Sequence, residues 1–192
     1  MTTDRAALYQ AVLGATIAAH ERIRRQDPAP LFAAVDAMLK SLRGGGKVLF
    51  FGNGGSAADA QHAAAELVGR YVRERKAAAA IALSTDTSIL TAVGNDYSFD
   101  RVFARQIEAL ARKGDVAVAI STSGVSPNVI AGVEAARAAG ATTIGLTGRD
   151  GGALGSKVDI HINVPESETP RAQEVQRTLL HLMCDMVERE LP

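Results

Sequence analysis

The chain has 192 residues, with 21 basic and 21 acidic side chains, so its formal net charge is zero. That length supports one domain with a substantial core, and the balanced charge argues against a broad electrostatic footprint for nucleic acid. Hydrophobic residues make up 47% and aromatics 4%, and the single cysteine, Cys184, leaves no intrachain disulfide and fits a reducing compartment.

The opening Met1-Thr2-Thr3-Asp4-Arg5 lacks the plan of a signal peptide, and no apolar run reaches membrane-spanning length. A cytoplasmic protein without a membrane partner is expected. Residues 4–26 and 31–43 carry helical periodicity and are separated by the breaker Asp27-Pro28-Ala29-Pro30. Strands are predicted at Lys47 to Phe51, Ala80 to Leu83, Val116 to Ile120, Thr142 to Leu146 and Asp159 to Val164. Helices are predicted over 56–69, 98–112, 127–139 and 171–190; within the last, Cys184 reads as a small buried hydrophobe. Alternating strands and helices of these lengths imply a parallel sheet covered on both faces. The expectation is one domain over 1–192: N-terminal helices in 1–46, then an α/β core with a C-terminal helix in 47–192.

Three loops at the carboxyl ends of predicted strands look alike. Gly52 to Ser56 opens an alanine-rich helix, whose first backbone N–H groups make a seat for a phosphate. Ser84-Thr85-Asp86-Thr87-Ser88 and Ser121-Thr122-Ser123-Gly124-Val125-Ser126 follow the second and third strands. Hydroxyl and N–H donors together suit a phosphate pocket, while capping of the following helices is the structural alternative. In the first helix His62 and Glu66 stand at i and i+4, so both leave from one face.

Gly52, Gly54 and Ala57 also satisfy the dinucleotide fingerprint G-x-G-x-x-G/A. Asp86 lies roughly 30 residues on, too far for the acidic residue expected about 20 residues after such a loop. A Walker A motif is absent. The hydroxyl loop at Ser121–Ser126 favours a phosphomonoester instead.

These residues resemble the sugar isomerase (SIS) family, and within it the phosphoheptose isomerases. The matching runs are Gly52-Asn53-Gly54-Gly55-Ser56-Ala57-Ala58-Asp59-Ala60-Gln61-His62, Glu66-Leu67, and Thr91-Ala92-Val93-Gly94-Asn95-Asp96-Tyr97. Ile120-Ser121-Thr122-Ser123-Gly124, Leu146-Thr147-Gly148, Asp150-Gly151-Gly152 and Arg171-Ala172-Gln173-Glu174, ahead of His181, continue the match. The resemblance implies a flavodoxin-like fold with a five-stranded parallel sheet, and a homotetramer. It also implies conversion of sedoheptulose 7-phosphate to D-glycero-D-manno-heptose 7-phosphate for lipopolysaccharide or other surface glycans. Phosphate binding falls on Ser56, Ser121, Thr122, Ser123 and Ser126, beside Gly54 and Gly55. Asn53, Arg70, Asn95, Asp96 and Gln173 match substrate positions, Glu66 the general base and His181 the general acid. In zinc-containing relatives the ligands match His62, Glu66, Gln173 and His181, one zinc per subunit. Val125, Ala172 and Gln176 depart from residues common in relatives, and Gln176 could alter the site's rim or the shell around the metal.

Ketose–aldose isomerisation moves a proton between C1 and C2, so it needs a base, an acid for the oxygens and a grip on the distal phosphate. Gln173 and His181 are eight apart on one predicted helix, hence about 12 Å along its axis and about 80° around it. That separation predicts a site shared between subunits. Two other SIS functions keep similar loops: a non-catalytic adaptor for a replication initiator and a sugar-phosphate sensor. His181, together with His62, Glu66 and Gln173, favours the enzyme.

Overall fold

Asp4 sets the first helix boundary: its carboxylate accepts the N–H groups of Ala6 and Ala7 at 3.0 and 3.2 Å. The computed structural model describes residues 4–191. Helices α1 (Arg5–Arg24) and α2 (Ala29–Arg43) meet at the proline turn, and then strands and helices alternate. They are β1 (Val48–Gly52), α3 (Gly55–Val68), β2 (Ala80–Ala82), α4 (Thr87–Asp96), α5 (Val102–Leu110) and β3 (Val116–Ser121). The chain continues through α6 (Pro127–Ala138), β4 (Thr142–Gly148), the single turn α7 (Gly152–Gly155), β5 (Ile160–Val164) and α8 (Thr169–Glu190).

The predicted strands all form, with ends shifted by one or two residues. The 98–112 segment divides into a 3₁₀ turn at Phe99–Arg101 followed by α5. Helix α4 is not among the predicted helices, and Ser84–Ser88, expected as a loop, runs into its first turn. Its start is fixed locally by Asp86, and Leu90 and Val93 pack half-buried on the second core; ten residues give only this brief apolar pattern.

Strand order is β2-β1-β3-β4-β5 with every pairing parallel, the flavodoxin-like arrangement. Alternate strand residues feed two cores. Val48, Phe50, Val116, Val118 and Ile120 pack towards α2, α3 and α8. Leu49, Phe51, Ala117 and Ala119 pack towards α5 and α6, where the Phe51 and Phe103 rings lie 5.4 Å apart. Order reverses between β1 and β3, and at their carboxyl ends such sheets bind ligands. Cys184 is buried in the first core, which pushes its thiol pKa up to about 12; it is a core residue, as its helical setting predicts. Among the described residues no helix is long and apolar enough to cross a membrane.

Candidate active site

The switch point joins two of the three hydroxyl loops. Gly52 pairs with Ile120 in register, so the α3 loop lies beside Ser121–Ser126. The hydroxyls of Ser121 and Ser126 approach to 3.3 Å, and those of Ser121 and Ser123 to 3.5 Å. Ser126 occupies the N-cap position of α6 yet makes no side-chain cap bond, so the capping alternative fails here. Gly124 turns the loop with φ +67°, and a Cβ there would collide with the Gly151 carbonyl. Ser56 is buried in the first turn of α3, and Gly54 caps that helix without a side chain. The N–H groups of Ser56 and Ala57 already serve the turn, bonding the carbonyls of Asn53 and Gly54; the seat narrows to the first positions of the loop.

The loop at Ser84–Ser88 differs. Asp86 accepts the Ile89 N–H at 2.9 Å as an N-cap, Thr85 donates to the Ala82 carbonyl and Ser84 to the Ala57 carbonyl. Ser84, Thr85 and Asp86 are thus committed to holding the main chain, and this loop lies across β1 from the paired hydroxyls of Ser121–Ser126.

Along α3 the catalytic candidates come together with α8. Nε2 of His62 lies 3.0 Å from Glu66 Oε1 and 2.9 Å from Nε2 of His181. One donor atom from each of the three falls within 4.8 Å of the others. The two helices run side by side in the same direction: Gln173 sits against Gly55, where a Cβ would collide with its amide, while His181 meets His62 one residue short of the same spacing. One chain therefore gathers three of the four candidate ligands. Gln173 keeps the separation its spacing predicts, at the other end of a cleft of about 560 Å³ that both Gln173 and His181 line. Burial is the main cause holding the His181 pKa below its ordinary value, with His62 adding to the effect and Glu66 opposing it. His181 accordingly stands neutral near pH 7, the form that ligates a metal or hydrogen-bonds a sugar oxygen.

The cleft also carries residues outside the predicted set. Asp59 is 1% exposed, and its Oδ1 accepts Nε and Nη2 of Arg177 at 2.8 and 2.6 Å. Helical spacing could have found both: Asp59, His62 and Glu66 lie at i, i+3 and i+7, and Gln173, Arg177 and His181 at i, i+4 and i+8. His20 is in the cleft wall, within hydrogen-bond distance of the Thr16 carbonyl and the Thr178 hydroxyl. Asn53 exchanges two amide hydrogen bonds with buried Asn128, at 2.8 and 2.9 Å, which fixes its orientation. No local pattern signals that partner. Gln176 is fully buried, so it is a core position and not part of the rim.

Arg70, Asn95 and Asp96 do not join this group. Arg70 is exposed and faces Glu74 at 4.0 Å, and Asn95 donates to Asp96 at 2.8 Å on the exposed last turn of α4.

A parallel sheet of this order, with a hydroxyl loop at its switch point, defines a phosphosugar-type α/β protein, and the family profile described as SIS domain matches residues 13–148. The chain is 56% identical over 171 residues to the phosphoheptose isomerase of Syntrophotalea carbinolica, covering 89% of this chain and 87% of that protein. Solved structures agree. The phosphoheptose isomerase of Neisseria gonorrhoeae matches with TM-score 0.91 and 46% identity, over 96% of this chain and 98% of that one. That of Francisella tularensis matches with TM-score 0.94 and 35% identity, over 99% and 100%. The chain belongs to the phosphoheptose isomerase family of SIS-domain proteins.

Proposed function

We propose that this protein interconverts sedoheptulose 7-phosphate and D-glycero-D-manno-heptose 7-phosphate through an ene-diol, the first step of heptose synthesis for lipopolysaccharide or other surface glycans. The observation that carries the reading is the convergence of His62 and Glu66, on the helix that begins at the phosphate loop, with His181 of α8. At about 1.5 Å per residue, His62 lies roughly 9 Å and Glu66 roughly 15 Å along α3 from Ser56. The helix thus spaces a phosphate seat from a carboxylate by the order of an extended sugar chain.

In this reading Ser56, Ser121, Thr122, Ser123 and Ser126, with the N–H groups of Gly54 and Gly55, hold the phosphate. That grip fixes the far end of the chain at the reacting carbons. Glu66 takes the proton from one carbon and returns it to the next, and His181 exchanges a proton with the sugar oxygens. Asn53, held by Asn128, and Gln173 orient the hydroxyls between.

Two imidazoles and a carboxylate within 4.8 Å fit a zinc ion by their chemistry; Gln173 of the same chain sits away from them against Gly55, so a Gln173 ligand would come from a neighbouring copy. Such an ion, when bound, would polarise the carbonyl as a Lewis acid. A carboxylate committed to metal is a weaker base, so the two roles of Glu66 compete.

The remaining sugar positions, Arg70, Asn95 and Asp96, are proposed to act across a subunit contact in a homotetramer of single SIS domains in the cytoplasm. The exposed apolar side chains Leu8, Tyr9, Val12, Leu13 and Ile17 on α1 support association. Incubating the protein with sedoheptulose 7-phosphate and following the aldose by NMR tests the activity. Binding without turnover would shift the reading to the sensor or adaptor.

A further inference from the structure

The segment that leaves α3 folds back over the foot of the site on a buried ion pair. Glu188, 3% exposed, accepts three successive backbone N–H groups, from Tyr71, Val72 and Arg73, at 2.7, 2.8 and 2.8 Å. The Arg75 side chain is equally enclosed. Its Nη2 donates to the carbonyl of Glu66 at 2.8 Å, its Nη1 to that of Leu67 at 2.8 Å, and its Nε stands 3.5 Å from Glu188 Oε1. Burying two charges is costly unless their hydrogen-bonding capacity is filled, and here backbone groups on one short segment fill most of it.

Both ends of this hub reach the catalytic candidates. Arg75 grips the main chain of Glu66 itself. Glu188 holds the N–H of Tyr71, whose ring lies 5.7 Å from the ring of His181 at an interplanar angle of 43°; the His62 ring lies 4.8 Å from His181. Glu188 is also seven residues, two turns, beyond His181 on α8, so one helix supplies the acid and the anchor of the ring beside it. Within the hub only the Arg75 Nε, at ion-pair distance from Glu188, lacks a hydrogen bond; apolar side chains could close this corner as well, which leaves orientation as the distinctive return of the polar hub.

We propose that Arg75 and Glu188 are positioning residues. Acting through the Glu66 backbone and the Tyr71 ring, they set the carboxylate and imidazole in reacting geometry. The inference rests on the isomerase reading for its kinetic consequence, but not for its geometry.

The test compares Glu188→Gln, Tyr71→Ala and Tyr71→Phe in the full chain. The expected result is a kcat at least about tenfold lower for Glu188→Gln and Tyr71→Ala, with KM for sedoheptulose 7-phosphate within about threefold, since small misplacements act on the reacting step. Tyr71→Phe, which keeps the ring, retains wild-type kcat. The ring-proton resonances of His181 give a readout that needs no substrate: in Glu188→Gln they move in the same direction as in Tyr71→Ala. Tyr71→Ala removes a half-buried ring and leaves the Glu188 backbone bonds in place, so it is expected to fold where the Glu188 variant does not. Unmoved His181 resonances in folded variants overturn the proposal, as does a Tyr71→Phe that fails as Tyr71→Ala does. Moved resonances in a protein whose wild type turns over no sugar phosphate would overturn the isomerase reading and sustain the positioning.

Discussion

Two loops of nearly the same composition flank β1, and the structure treats them oppositely. In Ser84–Ser88 the hydroxyls of Ser84 and Thr85 donate to main-chain carbonyls and the Asp86 carboxylate caps a helix. In Ser121–Ser126 three hydroxyls turn towards one another at the switch point; Ser121 and Ser123 accept the N–H groups of Gly124 and Val125, which leaves their O–H protons to donate, and the following helix begins without a side-chain cap. Donors make a binding loop when the local backbone has not absorbed them. The difference is one of geometry: Gly124, at positive φ and packed on Gly151, curls the second loop so that the hydroxyls face inward.

Gly124→Ala should break the contrast most severely. A side chain there takes on the left-handed penalty and a collision with backbone, costing at least about 2 kcal/mol of stability. KM for the sugar phosphate should rise at least about a hundredfold, because the whole loop moves. Denaturant melts and steady-state kinetics check both. Next, Ser121→Ala and Ser123→Ala should each raise KM about tenfold, the value of one hydrogen bond to a charged group; Ser121→Ala also loses the buried hydroxyl that accepts the Gly124 N–H, so it should melt somewhat lower, by about 1 kcal/mol. Asp86→Ala should do the reverse: about 1 kcal/mol of stability lost with the cap, and kcat and KM unchanged. A KM effect at Asp86 matching that at Ser121 would erase the distinction between the loops.

The smallest expected effect is on pH dependence. His161, whose Nε2 lies 2.7 Å from the Thr147 hydroxyl, sits under the α7 turn on which Gly124 rests. Burial holds its pKa below the usual 6.5. The unfolded chain then binds more protons than the folded one as pH falls through 6.5, so stability should decline on that side. His181 shifts in the same direction, and the carboxylate Glu188, held low by three backbone N–H groups against its burial, adds a further loss below its unfolded value of 4.5. Urea midpoints between pH 7 and 5 should fall in the wild type and fall less in His161→Asn.

Much of this was legible in the chain. Five apolar runs separated by helical segments gave the sheet, and the spacing of His62 and Glu66 gave one face of α3. The meeting with His181 was hidden, because it depends on α3 and α8 lying parallel and in step across more than a hundred residues of chain. Spacing separates Gln173 from His181 on one helix, and the packing keeps them apart: three candidate ligands meet in one chain, while Gln173 stays at the far end of the cleft. Helix α4 was harder to read because it is short: Leu90 and Val93 pack half-buried on the second core, but a ten-residue helix opening on Thr87 and Ser88 carries only that brief apolar pattern. Arg70, Asn95 and Asp96 stand apart from the cleft on exposed surface.

The central claim is that Glu66 moves the proton, and Glu66→Gln tests it most directly, with kcat and sugar-phosphate affinity measured on the same preparation. Turnover should fall by about a thousandfold or more, within the usual worth of a positioned base, while affinity stays within about threefold of wild type because the phosphate grip lies at the other end of α3. A variant that keeps turnover within tenfold of wild type would contradict the account.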